Sequence, residues 1–205
     1  MMFSYYWAKV IKKIRGKAIK QSLIDNTSKV EAGSQLVNVK MDKYSFCGYD
    51  CKIMNCTIGA FCSIADGVII GGANHPYLWG STSPTFYQGR DSVKKKFSNY
   101  CRPEDQMTLI GNDVWIGDRA IIKAGVVIAD GAVVGMGSIV TKNIGPYEIW
   151  AGNPAKLIKK RFSDELISKY VESKWWEKDD DLIDRCSAAI KNPNEFVEHF
   201  LEDNQ

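Results

Sequence analysis

Two histidines occur in the 205-residue chain, and their surroundings differ sharply. His75 lies in Asn74-His75-Pro76, where the following proline holds its backbone extended and out of the helical region. An imidazole can take a proton from an attacking hydroxyl or amine, which makes His75 a candidate general base. A loop histidine that only hydrogen-bonds is the competing reading of the same position. His199 stands beside Glu198 in an acidic, helix-patterned stretch and reads as a surface residue. The cysteines (Cys47, Cys51, Cys56, Cys62, Cys101, Cys186) lack the C-x₂-C spacing of a zinc site. Cys56 and Cys62 suit core packing instead, and no metal is expected.

These residues need a scaffold, and Ile110 to Ile144 supplies its pattern. Large aliphatics recur at every sixth position: Ile110, Ile116, Ile122, Ile128, Val134, Val140. Gly or Ala follows four of them directly, with Lys123 and Thr141 as the exceptions. A period of six fits neither a helix nor an ordinary strand. It fits a solenoid in which each hexapeptide forms one flat face and three faces close a coil, a parallel β-helix. The same register opens with Val30 and Leu36, blurs through KMDKYSFCGYDCKIM, and returns at Ile58, Ile64 and Ile70. It then stops for residues 73–109, an aromatic-rich excursion that leaves the coil just before His75 and reads as a functional loop. Lys94–Lys96 within it reads as a solvated charge run.

The ends are charged in opposite senses. Residues 1–20 carry six basic side chains and no acid, whereas residues 163–205 carry twelve acids against five basic residues. With a net charge of +3 and a balanced centre, the chain lacks the basic stripe of a nucleic-acid binder. Residues 1–21, within an N-terminal segment of 1–27, pattern as an amphipathic helix with Phe3, Trp7, Val10, Ile11 and Ile14 in one stripe. Two resting places suit it: the solenoid or a neighbouring subunit, and an anionic membrane surface. The coil is expected over 28–160, with helices in 161–205. These start at the Ser163 cap, then run from Asp179 to Lys191 and from Pro193 to Leu201. No apolar run reaches membrane-span length and no signal-peptide pattern is seen, so the expected compartment is the cytoplasm, with peripheral contact at the inner membrane face left open.

The repeats, His75 in NHP, IGNDVWIG at 110–117, TKNI at 141–144, AGNPAK at 151–156, and KKRF before KWWE together resemble the left-handed β-helix acetyltransferases. The likeness spans roughly residues 50–180. It touches both the xenobiotic branch, which acts on chloramphenicol and streptogramins, and the sugar acetyltransferases of surface polysaccharides. The resemblance implies a mainly β, left-handed parallel β-helix assembled as a homotrimer, using acetyl-CoA and no metal. It implies His75 as general base, with Trp115, Asp118, Met136, Thr141, Lys142, Lys156 and Lys159 along the coenzyme. Asn74 and Tyr77 fall on the acceptor side, under the excursion. The basic exit from the coil agrees, since a polyphosphate ligand favours it. KMDKYSFCGYDCKIM replaces a Tyr- and His-rich stretch of the xenobiotic enzymes, which favours a sugar hydroxyl or amine over an antibiotic as acceptor. A zinc hydratase on this fold would need three histidines. A non-catalytic β-helix platform is the alternative from another class, though it has no need of His75, the aromatic loop or the basic exit.

Overall fold

The computed structural model describes residues 2–89 and 93–202, the side chains of residues 2–5 excepted, so the Phe3 side chain of the expected stripe lies outside it. From Ala18 to Lys160 the chain winds as a parallel β-helix with three faces. The first face stacks Ala18–Lys20, the leading halves of Gln35–Met41 and Lys52–Ile58, then Ile69–Ile70, Ile121–Ile122 and Ile139–Val140. The second stacks Leu23–Ile24, the trailing halves of the same two long strands, Thr108–Ile110 and Val127–Ile128. The third stacks Lys29–Val30, Phe46–Cys47, Ser63–Ile64, Trp115–Ile116, Val133–Val134 and Glu148–Gly152. Ala155–Lys160 folds back antiparallel on the last of these.

The period of six maps directly onto this coil. Ile110, Ile116, Ile122, Ile128, Val134 and Val140 are all buried, while Leu109, Trp115, Ile121 and Val127, one place earlier, face outward. Side chains alternate across a strand, so one inward residue per face is the rule. Cys56 and Cys62 are buried in the same interior, and burial pushes the Cys62 thiol up to about 12.

The blurred stretch has its own register. Leu36, Ile53 and Ile70 stack at 17-residue intervals, whereas Ile122 and Val140 are 18 apart. The missing residue belongs to the corner between the first and second faces, which Asn38 (φ 54°) and Asn55 (φ 49°) each turn as a single left-handed residue. Asparagine tolerates that conformation better than most residues with a Cβ. The Asn38 side-chain amide donates to Asn55 Oδ1 at 2.8 Å, stacking one corner on the next.

At the N-terminus the helix α1 (Met2–Ile14) stops well before the expected residue 21. Gly16, at φ 67°, breaks it, and Ala18–Lys20 already pairs with the next coil, so the coil starts earlier than residue 28. At the C-terminus, α2 (Asp164–Ser173) begins as expected, with the Leu166 N–H donating to Ser163 Oγ. The second helix, α3 (Asp180–Cys186), ends in a 3-10 turn at 187–189 and is shorter than expected; α4 (Pro193–Glu202) follows. These helices enclose a second core of Tyr170, Trp175, Phe196 and Phe200 against Tyr147 of the coil. Val171 of α2 remains exposed.

Arg161 ties that helical unit to the coil. Its Nη1 donates to Asp113 Oδ2 (3.0 Å) and Gly131 O (2.8 Å), and its guanidinium lies over the Tyr147 and Phe162 rings. It is therefore turned away from any phosphate at the coil exit. Burial raises the Asp113 carboxyl above its ordinary value, with Arg161 acting against the rise. Arg161→Met is expected to lower stability by about 2 kcal/mol near neutral pH, since it strands a half-buried carboxylate. A carboxyl whose folded pKa lies above its unfolded value favours the folded state once protonated. The deficit should therefore narrow as pH falls through that raised value. Thermal melts at neutral and mildly acidic pH test this; a deficit that widens in acid would remove Asp113 from the account.

Candidate active site

The excursion begins where the first face ends at Ile70. Gly71 (φ 79°) and Gly72 (φ 121°) turn the chain outward. A Cβ at Gly71 would collide with the Met54 carbonyl of the coil below, so close stacking and the positive φ both call for glycine there. The chain rejoins the coil at Thr108, which pairs with Cys56.

His75 is oriented from within the excursion. Its Nδ1 lies 2.9 Å from the Thr82 carbonyl oxygen and 3.0 Å from the Tyr87 hydroxyl. A carbonyl only accepts, so in the neutral ring Nδ1 carries the proton and Nε2 keeps its lone pair. This is the tautomer that a general base needs. Tyr87 is itself buried and braced. Lys96 Nζ donates to the carbonyls of Tyr87 (3.0 Å) and Pro84 (2.7 Å), so Lys96 is a clasp within the loop rather than part of a solvated run. Tyr87→Phe should lower kcat about 3–10-fold, the worth of one ordinary hydrogen bond, with little change in acceptor KM. Steady-state kinetics on the variant would show it, and a change confined to KM would deny Tyr87 its orienting role.

Two hollows meet at Trp79. One, of about 290 Å³, is lined by His75, Asn74, Tyr77, Trp79, Glu104, Gln106 and Lys123. The other, of about 610 Å³, is lined by Trp79, Ser81, Phe86, Ser98, Tyr100 and Cys101. Asn74 is positioned by its backbone N–H, which donates to Asp105 Oδ1 (3.4 Å), and Arg102 holds that carboxylate at 2.6 Å. Tyr77 stands exposed at the rim.

The residues expected along the coenzyme separate into two groups. Thr141 and Lys142 follow Val140 at the corner between the first and second faces, directly above Lys123, whose N–H donates to Val140 O (3.0 Å). They share that corner with His75. Asp118 and Met136 instead line a groove of about 580 Å³ with Asp66, Arg119 and Gly137, at the corner between the third and first faces. Trp115 projects from the third face, in register with Val133, Ile149 and Lys159. Lys156 lies on the same end strand and is exposed, whereas Lys160 is engaged by Asp164. A corner and its opposite face point to opposite sides of a triangular coil. One protomer therefore does not bring Trp115, Asp118, Met136, Lys156 and Lys159 to its own His75. Trp115, expected at the cleft, lies on the face turned away from the His75 of its own protomer.

Thr82, Tyr87, Lys96 and Lys123 were not foreseen as site residues. Lys123 carried a signal nonetheless: it and Thr141 are the exceptions to the small residue after each inward aliphatic, and they stack at the His75 corner. Thr82, Tyr87 and Lys96 lie in the aperiodic loop, where spacing carries no such mark.

The description "Bacterial transferase hexapeptide (six repeats)" belongs to the family model that matches residues 107–142. A chloramphenicol acetyltransferase from Morganella morganii is 44% identical over 146 residues, covering 69% of each chain. A galactoside O-acetyltransferase from Escherichia coli is 36% identical over 103 residues, 50% of this chain and 43% of that one. Among solved structures, an N-acyltransferase from Bacillus cereus in complex with dTDP-4-amino-4,6-dideoxyglucose and coenzyme A superposes with a TM-score of 0.52. It is 20% identical, covering 81% of this chain and 96% of that one, a likeness of fold. With the coil, the excursion and these relatives together, the chain belongs to the hexapeptide-repeat acetyltransferases.

Proposed function

We propose that this acetyltransferase moves acetyl from acetyl-CoA to a hydroxyl on a compact molecule with an apolar body, an antibiotic of the chloramphenicol type. The observation that carries the reading is the Trp79 wall. On one side lies the His75-bearing cleft, where polar and apolar groups mix; on the other lies the aromatic pocket of Phe86 and Tyr100. A hydroxyl seated toward His75 would leave an apolar body against those rings, where its burial favours binding. The likeness to chloramphenicol acetyltransferase supports this acceptor over the sugar favoured from sequence. A sugar hydroxyl stands as the second reading, because Asn74, Glu104, Gln106 and Lys123 offer the hydrogen-bonding groups that a polyol requires and a galactoside enzyme is among the relatives.

In either case His75 Nε2 removes the hydroxyl proton as the oxygen attacks the acetyl carbonyl carbon. The new C–O bond forms, the C–S bond breaks, and the proton passes from Nε2 to the departing sulfur. The thioester supplies the activated acyl group; the chain supplies the base and its fixed tautomer. Exposed Lys156 and Lys159 suit the phosphates of the coenzyme, and Asp118 and Met136 line a groove of a size to take part of its length.

The two groups of residues support a site shared between protomers of a homotrimer. The His75 corner of one coil would face the Asp118–Met136 corner and third face of its neighbour. Thiol release from acetyl-CoA, measured with chloramphenicol, a streptogramin and a galactoside, tests the acceptor. Turnover with either antibiotic is expected; turnover with the galactoside alone would put the second reading in its place. Coexpressing His75→Ala with a Met136→Glu variant tests the shared site. The coexpressed population should recover about one quarter of the wild-type rate, since equal random assembly leaves about one interface in four with both halves intact. Coexpression as inactive as either variant alone would defeat the shared site.

A further inference from the structure

Among the described residues, Lys123 is the one member of the coil that lines the His75 cleft. The rest of the lining comes from the excursion: residues 74–79 on the outgoing limb, and Pro103, Glu104 and Gln106 on the returning limb. Ladders below and above fix the place of Lys123. The Gly71 N–H donates to Ile122 O at 3.0 Å, and the Lys123 N–H donates to Val140 O at 3.0 Å. Lys123 therefore stands one coil above Gly71, where the chain departs toward His75, and one coil below Thr141. The returning limb closes over the same corner, since a Cβ at Gly125 would meet the Gln106 side chain. Lys123 is exposed, and among the described residues its ammonium has neither a hydrogen bond nor an ion pair. Arg102 and Lys96 of the excursion are, by contrast, engaged by Asp105 and by two carbonyls. Glu104, the carboxylate at the same hollow, stands on the returning limb and does not pair with Lys123.

We propose that Lys123 donates a hydrogen bond to the acetyl carbonyl oxygen and stabilises the negative charge it acquires, an assignment that rests on the acetyl-transfer reading above. A cation rooted in the rigid floor of a cleft, beside a general base, suits an oxygen that gains charge in the transition state. Three kinds of oxygen compete for it. The coenzyme phosphates lie at the far end of the pantetheine arm from the sulfur, so the group beside His75 is the thioester. A neutral acceptor with an apolar body brings no anion. The carbonyl oxygen remains. Thr141 and Lys142, expected along the coenzyme, continue the same corner upward, so a coenzyme laid along it brings its acyl end down to Lys123. As the acceptor oxygen bonds to the carbonyl carbon, the carbonyl π pair moves onto the oxygen that faces the ammonium. When that pair returns, the C–S bond breaks and His75 Nε2 passes its proton to the departing sulfur. The charge on the oxygen exists only between those two events, so the contact favours the transition state over the bound substrates.

Lys123→Met keeps the reach of the side chain and removes its charge. Thiol release at saturating substrates should fall on the order of 10²-fold, the effect of losing one oxyanion donor. Acceptor KM, and coenzyme affinity by calorimetry, should stay within about twofold of wild type. Lys123→Arg should recover most of the loss, and Lys123→Gln, a neutral donor, should fall between the two. Because Lys123 is exposed, all three variants should melt with the wild type. Slow hydrolysis of acetyl-CoA without an acceptor is measured beside transfer, with water as the nucleophile. It uses the same carbonyl oxygen and should fall by the same factor in Lys123→Met. A rise in acceptor KM with kcat and hydrolysis unchanged overturns the proposal and makes Lys123 an acceptor-binding residue. Weaker coenzyme binding at unchanged kcat overturns it as well, as does a Met variant with the wild-type rate. Failure of the antibiotic reading is a separate result, turnover with the galactoside alone, and leaves the comparison of variants intact.

Discussion

His75→Ala is expected to lower kcat about 10²–10⁴-fold, the usual contribution of a positioned general base, while coenzyme binding stays at the wild-type level. An alcohol holds its proton too tightly at neutral pH to attack unaided. Among the described residues, His75 supplies the sole imidazole at the cleft, since His199 is exposed on α4. The Thr82 carbonyl and Tyr87 hydroxyl engage Nδ1, which leaves Nε2 as the only ring nitrogen able to accept. Because His75 is exposed, its removal should leave the fold intact, and any loss of rate can be read as lost proton transfer. Single-turnover kinetics together with calorimetric titration of the coenzyme would separate the two effects. A variant turning over within a few-fold of wild type would end the general-base assignment. Equal loss of coenzyme affinity would make His75 a binding residue instead.

Ile122→Ala is expected to remove about 4 kcal/mol of stability, toward the upper end for a buried aliphatic truncated to alanine. Ile122 is fully enclosed, stacked between Ile70 below and Val140 above through parallel ladders on the first face. Ladder hydrogen bonds set the coil spacing at roughly 4.8 Å, so the neighbours cannot collapse into the cavity. Ile121, one residue earlier on the same strand, points outward, and Ile121→Ala should cost the isolated protomer about 1 kcal/mol or less. Urea denaturation of the pair, read by circular dichroism and by hydrogen exchange of the Ile121–Ile122 amides, checks the contrast. Equal costs at the two positions would contradict the alternation on which the coil rests.

The extent to which the molecule could be read in advance varied with periodicity. Between Ile110 and Ile144 every inward position was legible, because an 18-residue coil divides evenly into three hexapeptides and each face repeats one steric demand. From Leu36 to Ile58 the same interior was obscured by one missing residue per coil at Asn38 and Asn55. The physical pattern was unbroken; only its period had shortened, and a search at 17 as well as 18 would have recovered it. The Ser163 cap was legible because capping is local chemistry, whereas the expected run of α1 to residue 21 was overridden by strand pairing of Ala18–Lys20 across the coil. Lys96 was read as solvated charge because nothing in the spacing reveals the carbonyls it meets.

The sequence by itself determined the coil, its interior, the point at which the excursion departs, and the single histidine set at that point. Each follows from short-range rules: which residue can point inward, where glycine must turn, what an imidazole can do. The tertiary structure alone decided the working form of that histidine, through a carbonyl seven residues away and a tyrosine twelve away. It also decided that the coenzyme candidates lie in two groups on opposite sides of one coil, and that α1 shows its apolar stripe outward. Those outcomes depend on how faces and corners are arranged in three dimensions, and six-residue spacing is identical for all three faces.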